Sequence, residues 1–251
     1  MESVYLLAVY DSLQEGSVQE ARDAIWTQVS KRTFEVYQYL SPAVLTPLSF
    51  WLWWSTYGGD IQLTMLAWLT PIVYAYVVPG IGTNVLKVWE FDVRFRLGRF
   101  RPHHGFVFGS ATAMLAWVCH SHMAKNLWDV VVAIVVFSSV LGFWNILYDI
   151  HAIRAGILRV YNQPWADGKG PESVAMDYAP WFFGGFGAVY GAGVAGGELI
   201  AERSGFTGLV FAGWFLIVIA CSIGFPVWGY RRRSFKKYGH SGCKPAAKEV
   251  V

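Results

Sequence analysis

The residues with the richest chemistry are histidines grouped in one stretch of the chain. Residues 101–122 read RPHHGFVFGSATAMLAWVCHSH and hold four of the six histidines, as a pair at His103 and His104 and again at His120 and His122. Imidazole exchanges protons near neutral pH and binds transition metals. Proton transfer and metal binding are therefore the first chemistries to consider, provided that the fold brings these side chains together.

The composition of the chain sets the solvent around these histidines. Of its 251 residues, 55% are hydrophobic, 17% are aromatic and only 15% are charged. Such a chain is too apolar for an ordinary soluble domain and indicates a membrane protein. Its three scattered cysteines supply neither a disulfide framework nor a zinc ribbon. The opening MESVYLLAVYD lacks the features of a cleavable signal, so internal segments must insert into the membrane.

Six segments are apolar enough to form membrane helices, which need about 20 mainly apolar residues. They are residues 42–57, 61–80, 105–123, 127–148, 181–197 and 207–230. Lys and Arg in the connecting segments set the orientation, because they accumulate on the cytoplasmic side. The segments that hold 18 of the 20 basic residues are 1–41, 81–104, 149–180 and 231–251. We therefore predict an all-α, polytopic membrane helix bundle with six spans and both termini in the cytoplasm.

This reading divides the chain into three regions. They are a cytoplasmic N-terminal segment (1–41), a six-helix transmembrane domain (42–230) with cytoplasmic loops 81–104 and 149–180, and a basic cytoplasmic tail (231–251). Residues 17–40 have apolar side chains at helical spacing, which predicts an amphipathic helix on the inner surface or against a partner. The expected location is a bacterial inner membrane or a eukaryotic endomembrane.

The two histidine pairs cannot belong to one site. Sixteen residues of helix separate His104 from His120, which is roughly 24 Å at the rise of an α-helix. Only residues 124–126 join the third and fourth segments, so these two helices should form an antiparallel hairpin. Folding the hairpin there brings His103 and His104 level with residues 145–149. The cytoplasmic end of the hairpin is therefore the predicted site.

The side chains expected at that end fall into two groups. The catalytic candidates are His103, His104, Asp149 and His151. The candidates for binding substrate are Arg96, Arg99, Arg101, Asn145 and Arg154. A carboxylate beside an imidazole supports acid–base catalysis, while several arginines favour an anionic group such as phosphate. A divalent metal ion, with His103, His104 and His151 as candidate ligands, is the third alternative.

Two further patterns concern the outer end and the fifth segment. Cys119, His120, His122, Asp129 and Glu198 form a weaker candidate cluster, because residues two apart point to different faces of a helix. The fifth segment has glycines four residues apart, which lets helices approach closely within the bundle or between copies of the chain. Those glycines are Gly187 and Gly191, and Gly193 and Gly197.

These observations favour an integral membrane enzyme that modifies a lipid or isoprenoid at the cytoplasmic leaflet through a His/Asp site. The alternatives are a transporter or channel, and a non-catalytic subunit or assembly factor of a membrane complex. A transporter is less favoured because no segment has a charged residue near its middle. The expected partners are membrane lipids, with homo-oligomers through the fifth helix as an option, and no nucleic acid.

Overall fold

The computed structural model describes residues 27–243, and the all-helical fold class is confirmed. Residues 27–40 are helical and continue through a π-helical turn, Ser41–Leu45, into the first named helix. The helices are α1 (Thr46–Thr56), α2 (Ile61–Gly80), α3 (His104–Cys119), α4 (Leu127–Arg154), α5 (Gln163–Ala166), α6 (Pro171–Ala179), α7 (Phe186–Ser204) and α8 (Gly208–Tyr238). Further π-helical turns, Ile81–Val85 and Pro180–Gly185, follow α2 and join α6 to α7.

Three helical stretches are long and apolar enough to cross a membrane. They are Ile61–Val85, Leu127–Arg154 and Gly208–Tyr238. Helix α3 is also apolar but shorter, and it ends at Cys119 because His120 adopts an extended conformation with ψ of 107°. The predicted third segment, 105–123, therefore runs four residues too far. The fourth and sixth predicted segments stop too early, since α4 and α8 continue beyond residues 148 and 230.

Short, well-capped turns join the helices at one end of the bundle, which we call the turn end (residues 57–60, 120–126 and 205–207). The Asp60 side chain accepts hydrogen bonds from the first backbone N–H groups of α2, at 2.9 and 3.0 Å. Asn126 and Asp129 form a reciprocal capping box at the start of α4. Such caps satisfy N–H groups that have no partner within the helix and so fix where each helix begins.

The longer connections meet at the opposite end, which we call the loop end (residues 81–103, 155–170 and 239–243). There β1 (Trp89–Phe91) pairs with β2 (Leu158–Val160) in an antiparallel two-stranded sheet. The pairing brings Phe91 opposite Leu158 and ties the two predicted cytoplasmic loops together.

The C-terminal segment also folds onto the loop end. Helix α8 runs to Tyr238, and the chain then turns so that the carbonyl of Gly242 accepts a hydrogen bond from Gln163 at 3.0 Å. The buried carboxylate of Asp177 in α6 accepts hydrogen bonds from the Tyr230 and Tyr238 hydroxyls, at 3.0 and 2.6 Å, and pairs with Arg233. The described part of the predicted tail, 231–243, is therefore packed against α6.

The glycines of α7 lie where neighbouring helices approach most closely. A Cβ atom at Gly187 or Gly191 would lie 2.6 or 2.5 Å from backbone oxygens of α4. A Cβ atom at Gly193 would lie 2.7 Å from the Val218 side chain, and one at Gly197 would lie 2.3 Å from Leu66. All four glycines thus face neighbours in the same chain, which is the packing role expected of small residues in membrane helices.

Candidate functional site

A cavity opens at the loop end between α2, α3, α4, α6 and the two-stranded sheet. It contains about 660 Å³ of space free of protein atoms, including its open mouth. Most of its wall is apolar or aromatic, with Tyr74, Val78, Phe108, Phe182 and Phe183 among the lining residues. A largely apolar cavity with a few convergent polar groups is the usual form of a small-molecule site.

Two of the polar groups, Arg101 and His104, come from the start of α3 and contact each other. Arg101 is 2% exposed, and one of its terminal nitrogens lies 2.8 Å from Nδ1 of His104. Arginine can only donate, so Nδ1 must accept, and a neutral His104 then carries its proton on Nε2. The Arg101 guanidinium also lies over the Phe91 ring, 5.2 Å from its centroid, which is a cation–π distance.

Arg101 has an unusual environment for a buried cation. Among residues 27–243, no carboxylate lies within ion-pair distance of its guanidinium, and its Nε has no hydrogen-bond acceptor. Buried arginines are normally paired with an anion or fully hydrogen-bonded. The guanidinium interacts electrostatically with Tyr148 and Asp149 but forms no direct ion pair within residues 27–243, so it can pair with an anionic group inside the cavity.

In the wall of the same cavity, Asp149 of α4 contacts Tyr178 of α6. Asp149 is 7% exposed, and its Oδ2 accepts a hydrogen bond from the Tyr178 hydroxyl. Burial and the neighbouring Asp149 carboxylate raise the pKa of the Tyr178 phenol well above its usual range, so the phenol remains a neutral donor. No described donor reaches Oδ1 of Asp149, which leaves this oxygen able to accept a proton from a bound molecule.

A smaller cavity of about 250 Å³ adjoins the first. The two share Arg101, His104, Phe108 and Tyr148 in their walls. Asn145 lines only the smaller one, and its Nδ2 donates to the Leu141 carbonyl at 2.8 Å. Arg101 and His104 therefore stand between an apolar chamber and a smaller, more polar one.

The structure brings together three of the nine residues predicted for the site, since Arg101, His104 and Asp149 line one cavity. Asn145 lines the adjoining smaller cavity. His103 is turned away and stacks against Tyr39, with ring centroids 5.4 Å apart.

His151 does not join the site, contrary to the sequence-based expectation. Helix α4 continues to Arg154, so His151 lies two residues after Asp149 on a different helix face and is exposed. Among the residues that the structure describes, no three His, Cys, Asp or Glu side chains group as metal ligands. The three histidines proposed as metal ligands, His103, His104 and His151, are therefore not arranged as one metal centre.

The remaining predicted arginines bind other groups at the loop end. Arg154 pairs with Glu172, and both side chains are more than half exposed. Arg96 lies 3.4 Å from Glu90, and Arg99 donates to the Lys87 carbonyl at 3.4 Å. None of these three lines the cavity. Of the four arginines predicted to bind substrate, Arg101 is the one that lines this cavity.

Three lining residues, Tyr148, Tyr178 and Trp89, were absent from the sequence-based set. Tyr148 directly precedes Asp149 in the sequence, and this adjacency was the only feature that could have predicted it. Trp89 and Tyr178 reach the cavity through the pairing of β1 with β2 and the packing of α6 on α4. Neither arrangement has a signature in the local sequence.

At the turn end, His120 does meet a carboxylate. Its Nε2 lies 2.7 Å from Oε1 of Glu198, which also accepts from the Tyr57 hydroxyl at 2.7 Å. The other oxygen of Glu198 accepts from the backbone N–H of Ala124 at 2.8 Å. His122 instead lies 3.6 Å from Asp129 and is exposed. This buried cluster connects the end of α1, helix α7 and the α3–α4 turn. We call it a structural tie, because its hydrogen bonds hold these three parts of the bundle together.

The loop-end cavity can thus hold an apolar molecule, present a buried cation and a neutral imidazole to it, and offer a carboxylate oxygen as a proton acceptor. These are the parts needed for binding and acid–base chemistry. No family model matches the chain, and no curated protein or solved structure is significantly similar to it.

Proposed function

We propose that the protein is an integral membrane enzyme that acts on a lipid or isoprenoid held in the loop-end cavity. The observation that carries the proposal is the cavity itself, an apolar chamber whose polar lining residues include Arg101 with His104 and Asp149 with Tyr178. Amphiphilic molecules have this division between apolar and polar parts.

Asp149 is the proposed general base. Its Oδ2 is held by Tyr178, and its Oδ1 has no described donor, so the carboxylate is oriented with one oxygen free. His104 is proposed to donate a hydrogen bond from Nε2, because Arg101 occupies Nδ1. A donor and an acceptor in the lining of one cavity can act on one bound group, which is the arrangement that acid–base catalysis requires.

The proposed setting is a six-span bundle with its loop end in the cytoplasm. Three helices have the length and apolar character of membrane spans, and the six predicted segments fall largely within helices. The basic residues of the connections supply the orientation. The cavity would then open at the cytoplasmic leaflet, where a lipid or isoprenoid can enter from the side.

We expect thiol labelling to reveal this orientation. In a chain whose native cysteines are replaced by Ala, Lys125→Cys at the turn end should react with a membrane-impermeant maleimide in intact cells. Lys169→Cys at the loop end should react only after the cells are permeabilised. Both lysines are exposed, but they lie at opposite ends of the bundle. Labelling of Lys169→Cys in intact cells would contradict the proposed orientation.

Filling the cavity tests the proposed function. Ala152 is 2% exposed and lines the cavity, so Ala152→Phe should occupy the space that the ligand needs. We expect native protein purified from membranes to carry an amphiphile that native mass spectrometry detects, and the variant to carry none. Ala166→Phe, at an exposed position in α5, is the matched control and should retain the molecule. Native protein that carries no amphiphile, or equal retention by both variants, would refute the proposal.

A further inference from the structure

Several hydrogen-bond donors of residues that line the cavity have no acceptor within residues 27–243. Within residues 27–243, Nε of Arg101 and Nε1 of Trp89 are buried without an acceptor, and no acceptor reaches Nε2 of His104. Oδ2 of Asp149 accepts from Tyr178, and no described hydrogen bond joins Asp149 to any of these three donors. Buried donors are normally satisfied, because leaving one unpaired is costly. A ligand that supplied oxygen acceptors would satisfy the donors of this wall.

The start of α3 adds a second source of positive potential. The N-terminus of a helix carries a partial positive charge from its unpaired N–H groups. The first turn of α3 has no acidic residue, and the His103 side chain forms no capping hydrogen bond. Arg101 lies three residues before the helix begins, so its full charge and the helix end act in the same place.

We propose that the ligand of this cavity carries an anionic oxygen head group, a carboxylate or a phosphate, which Arg101, His104 and Trp89 hold. The apolar part of the ligand lies along Phe108 and Phe183. This inference rests on the proposed function of the cavity as an amphiphile site and specifies which class of amphiphile it takes. Charge-assisted hydrogen bonds from a buried guanidinium are strong enough to select an anion over a neutral head group.

Four decyl probes of the same chain length separate the head groups. They are decyl phosphate, decanoate, decanol and decyltrimethylammonium, each radiolabelled and measured by equilibrium binding to the full chain in phosphatidylcholine nanodiscs, with empty nanodiscs subtracted. We expect saturable binding of decyl phosphate, decanoate or both, and weaker binding of the neutral and cationic probes. The two anionic arms distinguish a phosphate site from a carboxylate site.

Substitutions then locate the anion. Arg101→Met should weaken binding of the anionic probe by about tenfold or more, the loss expected for a charge-assisted contact, and should leave decanol unaffected. Arg99→Met is the matched control, because Arg99 lies two positions away and outside the cavity wall. Trp89→Phe keeps an aromatic side chain and removes the five-membered ring that carries the N–H, so it should weaken anion binding by a few fold, and leave decanol binding unchanged, even if Arg101→Met fails to fold.

The outcomes separate this inference from the proposed function. One outcome is that all four probes bind equally and that neither Arg101→Met nor Trp89→Phe changes anion binding. The cavity then accepts amphiphiles but has no anion-binding site, and the inference is wrong. If no probe binds saturably, both the inference and the proposed function are overturned. Preference for decyltrimethylammonium would also overturn the inference, since it would assign the selectivity to Asp149.

Discussion

Replacing Asp149 with Asn is expected to lower turnover by about 10²–10⁴-fold, the usual contribution of a general base. Asparagine has nearly the same shape, and its side-chain oxygen can still accept the Tyr178 hydroxyl, so the wall of the cavity should be preserved. The amide cannot accept a proton at neutral pH. The variant should therefore bind its ligand and fail only in the chemical step.

The measurement begins from membranes that express either form. Mass spectrometry of their lipid extracts should reveal species whose abundance changes with the native chain and not with Asp149→Asn, and those species then serve in rate assays. Asp92→Asn is the matched control, because Asp92 is a partly exposed carboxylate at the same end and lies 3.4 Å from Arg159. Equal rates for native protein and Asp149→Asn would remove Asp149 from the mechanism.

Replacing Glu198 with Leu is expected to destabilise the bundle by about 3–5 kcal/mol, because a buried acceptor of several hydrogen bonds is removed. Glu198 is 1% exposed and accepts hydrogen bonds from Tyr57, His120 and the backbone of Ala124. A leucine there would leave three buried donors without an acceptor. The change should be read from the denaturation midpoint of protein in detergent.

Glu202→Leu provides the control for that change. It lies one turn further along α7, where the side chain is exposed, and should alter stability by less than about 1 kcal/mol. The Glu198→Leu protein that remains folded should keep its activity per molecule, because the cluster lies at the turn end, away from the cavity. A similar midpoint for both variants would show that the cluster is not a structural tie.

The sequence predicted the part of the site that depends on helical geometry. His104 and Asp149 lie on consecutive antiparallel helices joined by a short turn, so counting residues from that turn was enough to place them at one level. Arg101 was predicted as one of several loop arginines that could hold an anionic group, and the sequence did not distinguish it from Arg96 and Arg99. The helix ends were less predictable, because α4 continues into polar sequence once α6 packs against it. That continuation is what turns His151 outward.

The rest of the site depends on contacts between residues far apart in the chain. Trp89 reaches the cavity only because β1 pairs with β2, about 70 residues later in the sequence. Tyr178 reaches Asp149 only because α6 lies across α4. The periodicity and charge of a single sequence indicate local structure, but they do not indicate which distant segments pair. The burial of Arg101 and the exposure of the other predicted arginines also depend on how these distant segments pack.

The contacts of Asp177 have a consequence for how the protein matures during synthesis. Asp177 is buried one residue before Tyr178, and its described partners in α8 are Tyr230, Arg233 and Tyr238. The ribosome makes α6 well before α8. The charge of the Asp177 carboxylate is therefore not compensated by Arg233 until the last helix has been made. We expect newly made chains to insert first and to acquire a competent site only when α8 arrives. Incomplete chains would then lack the finished packing around Asp177 and Tyr178.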